Sequence, residues 1–163
     1  MRGKDIATAI INTSIDYKNM TGNKKYYASF YSVNKLMYLA HCEFLKQTGR
    51  SLIREEEKIL ADTSGPFFES TLFIFKDYNF DEVKEKVVQE LPLPLSINDL
   101  IDKIVKEYGF FSDQEIGILL KKDEAYLEAC NTKDKITSII TNEIINKYIY
   151  KEKENTKQKT KTP

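Results

Sequence analysis

Tryptophan is absent from this chain of 163 residues, which also has one histidine and two cysteines. A metal site with two histidine ligands is therefore impossible, and nucleophilic catalysis with a histidine base would have to use His41 alone. Cys42 and Cys130 lack the spacing of a metal or disulfide framework, which predicts two small buried thiols in a reducing compartment. Cys42 lies about 100° around a helix from His41, so the pair forms a poor catalytic dyad.

Glycine is scattered singly at six positions, so the chain lacks a Gly-rich phosphate loop. No stretch approaches the ~20 apolar residues that cross a bilayer, and no apolar signal core follows the basic start, which predicts a cytoplasmic protein. The length and the 41% hydrophobic content predict one globular domain over residues 1–150. Residues 151–163 are rich in lysine and have no hydrophobic residue, which predicts a disordered tail.

The net charge of zero conceals an uneven distribution. Residues 1–54 contain nine Lys or Arg and three acids, whereas residues 76–128 contain seven Lys or Arg and thirteen acids. Such segregation favours a charged partner. Alternatively, the segments pack beside each other and their charges cancel.

The strongest helical pattern lies in the first half of the chain. Apolar residues recur at i, i+3, i+4, i+7 and i+11 at Val33, Leu36, Met37, Ala40 and Phe44. Further apolar residues widen this stripe, so the helix needs neighbours on more than one side and should be central. The next glycine suits a helix C-terminus.

Several weaker patterns complete a mainly α fold around that central helix. Residues 51–61 have few apolar residues and predict a small β-hairpin or extended loops. Gly65 and Pro66 predict the start of a second, aromatic-rich helix, since proline is tolerated in a first turn. The further predictions are a short helix from Asp5 to Thr13, a loop at 19–25, and helices over 81–91, 96–108, 112–122 and from Thr132.

Parts of the sequence resemble the Panacea antitoxin domain, also called SocA-like and often associated with phages. The matching residues fall in the family's order between about residues 5 and 150. The first block comprises Lys35, Leu36, Met37, Tyr38, Leu39, Ala40, Gly49, Ala61, Gly65 and Pro66, and the second comprises Glu107, Tyr108, Gly109, Ser112, Glu115, Ile116, Asp123, Glu124, Ala125 and Tyr126. The chain lacks the tryptophans of the family pattern, and it has no histidine near Lys122, which favours a binding role over one that requires that histidine.

The resemblance implies a protein-binding antitoxin of a toxin-antitoxin pair. Such a protein neutralises a toxin by direct binding or delivers it to a protease, and needs neither a cofactor nor catalysis. The predicted partner surface lies on the aromatic helix after Gly65 and on the exposed edge of the central helix, because the phenylalanines of the aromatic helix point in several directions. Its predicted residues are Lys35, Tyr38, Gly65, Pro66, Phe67, Phe68 and Phe75, together with Phe73. Alternatively, all these aromatic side chains belong to the core.

Three other functions remain as alternatives. The helices at 96–108 and 112–122 have helix-turn-helix spacing, which would suit a DNA-binding regulator. The first turn of the second helix is acidic, however, with Asp113 and Glu115, and would repel phosphates. A protein from a mobile element that binds a host or defence protein is a further alternative, and an enzyme is the third.

Overall fold

The computed structural model describes residues 1–131 and 138–149. It confirms the mainly α fold with a small antiparallel sheet. The elements are α1 (Gly3–Thr21), α2 (Phe30–Thr48), β1 (Ile59–Asp62), β2 (Gly65–Phe68), α3 (Glu69–Lys76), α4 (Leu95–Tyr108), α5 (Asp113–Leu120), α6 (Glu124–Cys130) and α7 (142–149).

Helix α2 is the central element, as its pattern predicts. It packs against α1, α3, α4, α5 and β2, and Leu36 and Met37 are fully buried. The helix begins with a capping box in which Ser29 and Ser32 satisfy each other's backbone N–H groups. It ends at Gly49, whose φ of 69° is in the left-handed region.

Helix α1 is longer than the short helix predicted from Asp5 to Thr13. It continues to Thr21 and so includes the first residues of the predicted 19–25 loop. Its buried residues include Ile6, Ile10 and Ile15. These residues extend one apolar face as far as Ile15, and the helix packs on α2, α3 and α4.

The β-hairpin exists, but it spans residues 59–68 and not 51–61. Strands β1 and β2 pair antiparallel from Ile59 opposite Phe68 to Asp62 opposite Gly65. The Asp62 carboxylate accepts hydrogen bonds from the backbone and hydroxyl of Ser64, which stabilises the two-residue turn. The free edge of β1 pairs with residues 138–140, with an N–H···O bond of 2.8 Å at each end.

Gly65 and Pro66 begin strand β2, so the prediction that they open a helix is wrong. The φ of Gly65 is 131°, which side-chain-bearing residues rarely adopt, and a Cβ there would lie 3.2 Å from Lys35 Cε. The chain stays extended through Phe67 and Phe68 and turns into α3 only at Glu69.

The predicted helix over 81–91 is also wrong, because this segment lies extended along α1. Val83 pairs with Ala28 in an isolated bridge. The Asn12 side chain donates to Val87 O and accepts from Val87 N–H, both at 2.8 Å. Ion pairs also join the segment to α1 and to Arg2 just before it, namely Lys18–Glu82, Asp16–Lys86, Lys4–Glu90 and Arg2–Glu90. We call residues 82–91 the extended segment.

The second half of the chain follows its sequence signals more closely. Helix α5 begins within the predicted range, with a capping box in which Ser112 and Glu115 satisfy each other's backbone N–H groups. Helix α4 begins at Leu95, one residue before the predicted Ser96, and lacks a side-chain cap. Helix α6 was not predicted.

The predicted start of the last helix at Thr132 and the predicted tail lie outside the described residues. The last described helix, α7, begins at residue 142. Within the described ranges, every helix is too short or too polar to span a membrane.

Candidate protein-binding surface

Most of the predicted partner-binding residues are inside the molecule. Gly65 and Pro66 are buried in β2. The buried side chains of this set are those of Lys35, Tyr38, Phe68 and Phe75. Their burial corrects the prediction that they form an accessible face, because an enclosed side chain cannot contact a partner of the folded protein. Phe67 is half-buried, and Phe73 is 71% exposed.

The buried side-chain amide of Asn34 on α2 holds the end of β2 against α2. Asn34 was not among the residues predicted from the sequence. Asn34 Oδ1 accepts a hydrogen bond from Phe68 N–H at 2.8 Å and lies 3.0 Å from Thr71 Oγ1. Its amide nitrogen donates to Phe30 O at 2.8 Å. Buried polar groups of this kind are costly unless paired, so these bonds specify where β2 meets α2.

Two tyrosines join the blocks that carry the family resemblance. Tyr38 donates to Asp123 Oδ1 at 3.0 Å, and the same oxygen accepts from Tyr126 N–H at 2.8 Å. Tyr126 donates to Asp62 O at 2.6 Å. Burial is the main cause that raises the pKa of both phenols, so they stay protonated and act as donors. These residues therefore stabilise the fold.

Lys35 is a buried cation with a structural role. Its ammonium donates to Asp113 O at 2.8 Å and lies 3.9 Å from Asp113 Oδ1. Burial lowers the pKa of Lys35 and raises the pKa of Asp113. The contact joins α2 to the start of α5.

His41 and Cys42 lack the features of an activated catalytic pair. His41 is fully buried, with Nε2 2.9 Å from Asn142 Oδ1, and burial lowers its pKa. Burial also raises the pKa of Cys42, which disfavours the nucleophilic thiolate.

A cleft of about 340 Å³ beside Cys42 has a lining of polar and apolar residues that includes Lys46, Lys122 and Tyr108. Residues 1–131 and 138–149 contain no group of three or more His, Cys, Asp or Glu placed to hold a metal.

A partly exposed group of aromatic rings lies where the start of α2, strand β2 and the turn after α3 meet. Its members are Phe30, Tyr31, Phe67 and Phe80, and we call them the aromatic patch. The Phe30 ring centroid lies 5.5 Å from those of Tyr31 and Phe80, and 6.4 Å from that of Phe67. Phe75 packs beneath Phe30 at 5.5 Å. Tyr31 and Phe80 are 50% and 49% exposed.

Phe80 reaches the patch through an unusual backbone conformation. Asn79 and Phe80 have φ angles of 51° and 61°, and the left-handed region is costly for a bulky residue, by ~1–3 kcal/mol. Backbone bonds stabilise the turn, including Phe80 N–H to Phe75 O at 2.8 Å. Two adjacent left-handed residues thus position a half-exposed ring against Phe30, and such strain is often found at functional sites.

Helices α4 and α5 have the spacing of the helix-turn-helix alternative, but their charge disfavours DNA. Glu115 caps α5 by accepting from Ser112 N–H at 2.7 Å. Asp113 and Glu115 therefore both lie in the first turn of α5. This turn would approach phosphates in that motif, and its charge has the wrong sign.

Comparison of the chain with protein-family models, with curated proteins and with solved structures finds no match. The resemblance to the Panacea antitoxin domain therefore stays a prediction.

Proposed function

We propose that this chain is a protein-binding antitoxin and that its aromatic patch contacts the toxin. The observation that carries the binding role is the exposure of Tyr31 and Phe80 within a connected group of rings. Aromatic side chains contribute strongly to protein interfaces, since they bury a large area at low entropic cost. The sequence resemblance supplies the class of partner.

The proposed mechanism is neutralisation by direct contact or, alternatively, delivery of the bound toxin to a protease. Both mechanisms require the same first contact. We propose that catalysis is not involved, because burial opposes the charged forms of His41 and Cys42. Both cysteines are free thiols, which supports a reducing compartment such as the cytoplasm.

The test is co-expression with the toxic product of an adjacent open reading frame. Tyr31→Ala and Phe80→Ala should each abolish rescue of growth and weaken binding by ~30-fold, which corresponds to ~2 kcal/mol. Leu95→Ala is the matched control, because Leu95 is an exposed apolar residue outside the patch. Thermal melts of each variant separate lost binding from lost folding. Full rescue and unchanged affinity in both patch variants would contradict the proposal.

A further inference from the structure

Two exposed carboxylates flank Phe80 of the aromatic patch along the chain. Asp77 and Asp81 are exposed and stand three residues before and one residue after Phe80, in the turn that positions its ring. On the side of α5, burial is the main cause that raises the pKa of Tyr27, and the nearby charges of Asp113 and Glu115 raise it further.

Basic residues offset only part of this charge. Lys76 is exposed next to Asp77 in the chain, and the exposed Lys25 acts electrostatically on Glu115. Lys35 is buried against Asp113 and cannot reach a partner. Glu82 is already paired with Lys18 at 2.8 Å. Asp77 and Asp81, in contrast, have no side-chain hydrogen bond or ion pair to another described residue and remain accessible.

We infer that the aromatic patch binds a basic, arginine-bearing segment of the protein partner. This inference rests on the proposed function and specifies the chemistry of the same surface. Guanidinium groups stack on aromatic rings and pair with carboxylates, so Tyr31 and Phe80 provide faces while Asp77 and Asp81 provide counter-charges. Arginine suits this site better than lysine, because its planar group makes both contacts at once. Nucleic acids and anionic membranes would be repelled by the same carboxylates.

The test uses two fluorescein-labelled peptides of about 12 residues, one alternating Arg with Leu and the other alternating Glu with Leu. Fluorescence anisotropy with the full chain should show binding of the Arg peptide, no binding of the Glu peptide, and weaker binding as salt rises from about 50 to about 300 mM. The double variant Asp77→Asn/Asp81→Asn should lose ~10-fold or more in affinity for the Arg peptide. Glu55→Gln/Glu56→Gln is the control, because these exposed acids lie outside the patch.

Three results would overturn the inference. The chain could bind the two peptides equally, it could bind neither of them, or Asp77→Asn/Asp81→Asn could bind the Arg peptide as tightly as the unchanged chain does. The same variants separate it from the proposed function. Suppose that toxin binding fails in Tyr31→Ala and Phe80→Ala but persists in Asp77→Asn/Asp81→Asn. The patch would then be the toxin site and the basic partner segment would be wrong. Toxin binding that survives all these variants would contradict both proposals.

Discussion

The folded protein disfavours the protonated, charged form of His41. Its ring is fully buried, Nε2 contacts Asn142, and Nδ1 has no hydrogen-bond partner among the described residues. Burial lowers the pKa of His41 below its ordinary 6.5. As the pH falls from about 6.5 towards the lowered pKa of the folded state, the unfolded chain therefore binds this proton more readily than the folded protein does. Unfolding then becomes easier as pH falls, by up to ~1.4 kcal/mol per pH unit.

We predict that His41→Gln reduces this pH dependence. Urea unfolding at about pH 7.5 and about pH 5.5 should show a larger loss of stability in the wild type than in the variant. The carboxylates titrate in both proteins. The difference between the loss of unfolding free energy in the wild type and the loss in the variant therefore measures the contribution of His41. Parallel losses would show that protonation of His41 costs nothing in the folded state.

Gly65 illustrates what a sequence can establish about a single residue. The glycine predicts an unusual backbone conformation or a close approach, and the structure has both, with a φ of 131° and Lys35 Cε as the neighbour. The sequence did not reveal which element the glycine begins. A Gly-Pro pair suits both a helix start and an edge strand. Here the pair begins a strand, because it forms antiparallel pairs with β1.

The extended segment shows tertiary contacts overriding a helical pattern. Its Val83, Val87, Val88 and Leu91 recur at helical spacing, but only Val83 is fully buried and Val88 is 83% exposed. The backbone of Val87 bonds to Asn12 as it would to a neighbouring strand. A single sequence does not reveal such partners, which lie 75 residues away. The helices α2 and α5, in contrast, depend on signals within their own residues. These signals are the apolar spacing and the terminal glycine of α2 and the capping box of α5, so both helices were predictable from the sequence.

We predict that Asn12→Ala releases the extended segment. The change leaves the Val87 N–H and C=O without their partner and should cost ~1–3 kcal/mol. Hydrogen exchange of the Val87 amide should accelerate well before that of the core of α2. Asn98→Ala is the matched control, because Asn98 is exposed and makes one longer bond, 3.3 Å, to Leu93 O. Equal exchange at Val87 in the two variants would mean that Asn12 does not anchor the segment.

At the scale of the whole molecule, the aromatic patch combines residues that are far apart in sequence. Phe30 is on α2, Phe67 on β2 and Phe80 beyond α3. The sequence marked this part of the chain as aromatic, and Phe67 was among the predicted residues. It could not show that Phe68 and Phe75 point inward while Tyr31 and Phe80 stay exposed. That division depends on the strand at Gly65 and on the left-handed turn at Phe80.

The last described helix covers the core formed by the first part of the chain. Ile145 on α7 belongs to the same buried cluster as Ile6 on α1. Residues 138–140 pair with β1, and Asn142 contacts His41. We therefore predict that the chain unfolds as one cooperative domain, since the buried apolar residues of the described chain form one continuous cluster.

Ile145→Ala tests this cooperativity. The change should lower stability by ~2–5 kcal/mol, because it leaves a cavity between α7 and the core. Far-UV circular dichroism follows the helices, and the fluorescence of the ten tyrosines follows the packing. Both signals should move to the same lower denaturant midpoint. Ile118→Ala on the exposed side of α5 should shift stability by less than ~0.5 kcal/mol. If Ile145→Ala instead produces two transitions, and only one of them is displaced, α7 and the N-terminal helices are separate folding units.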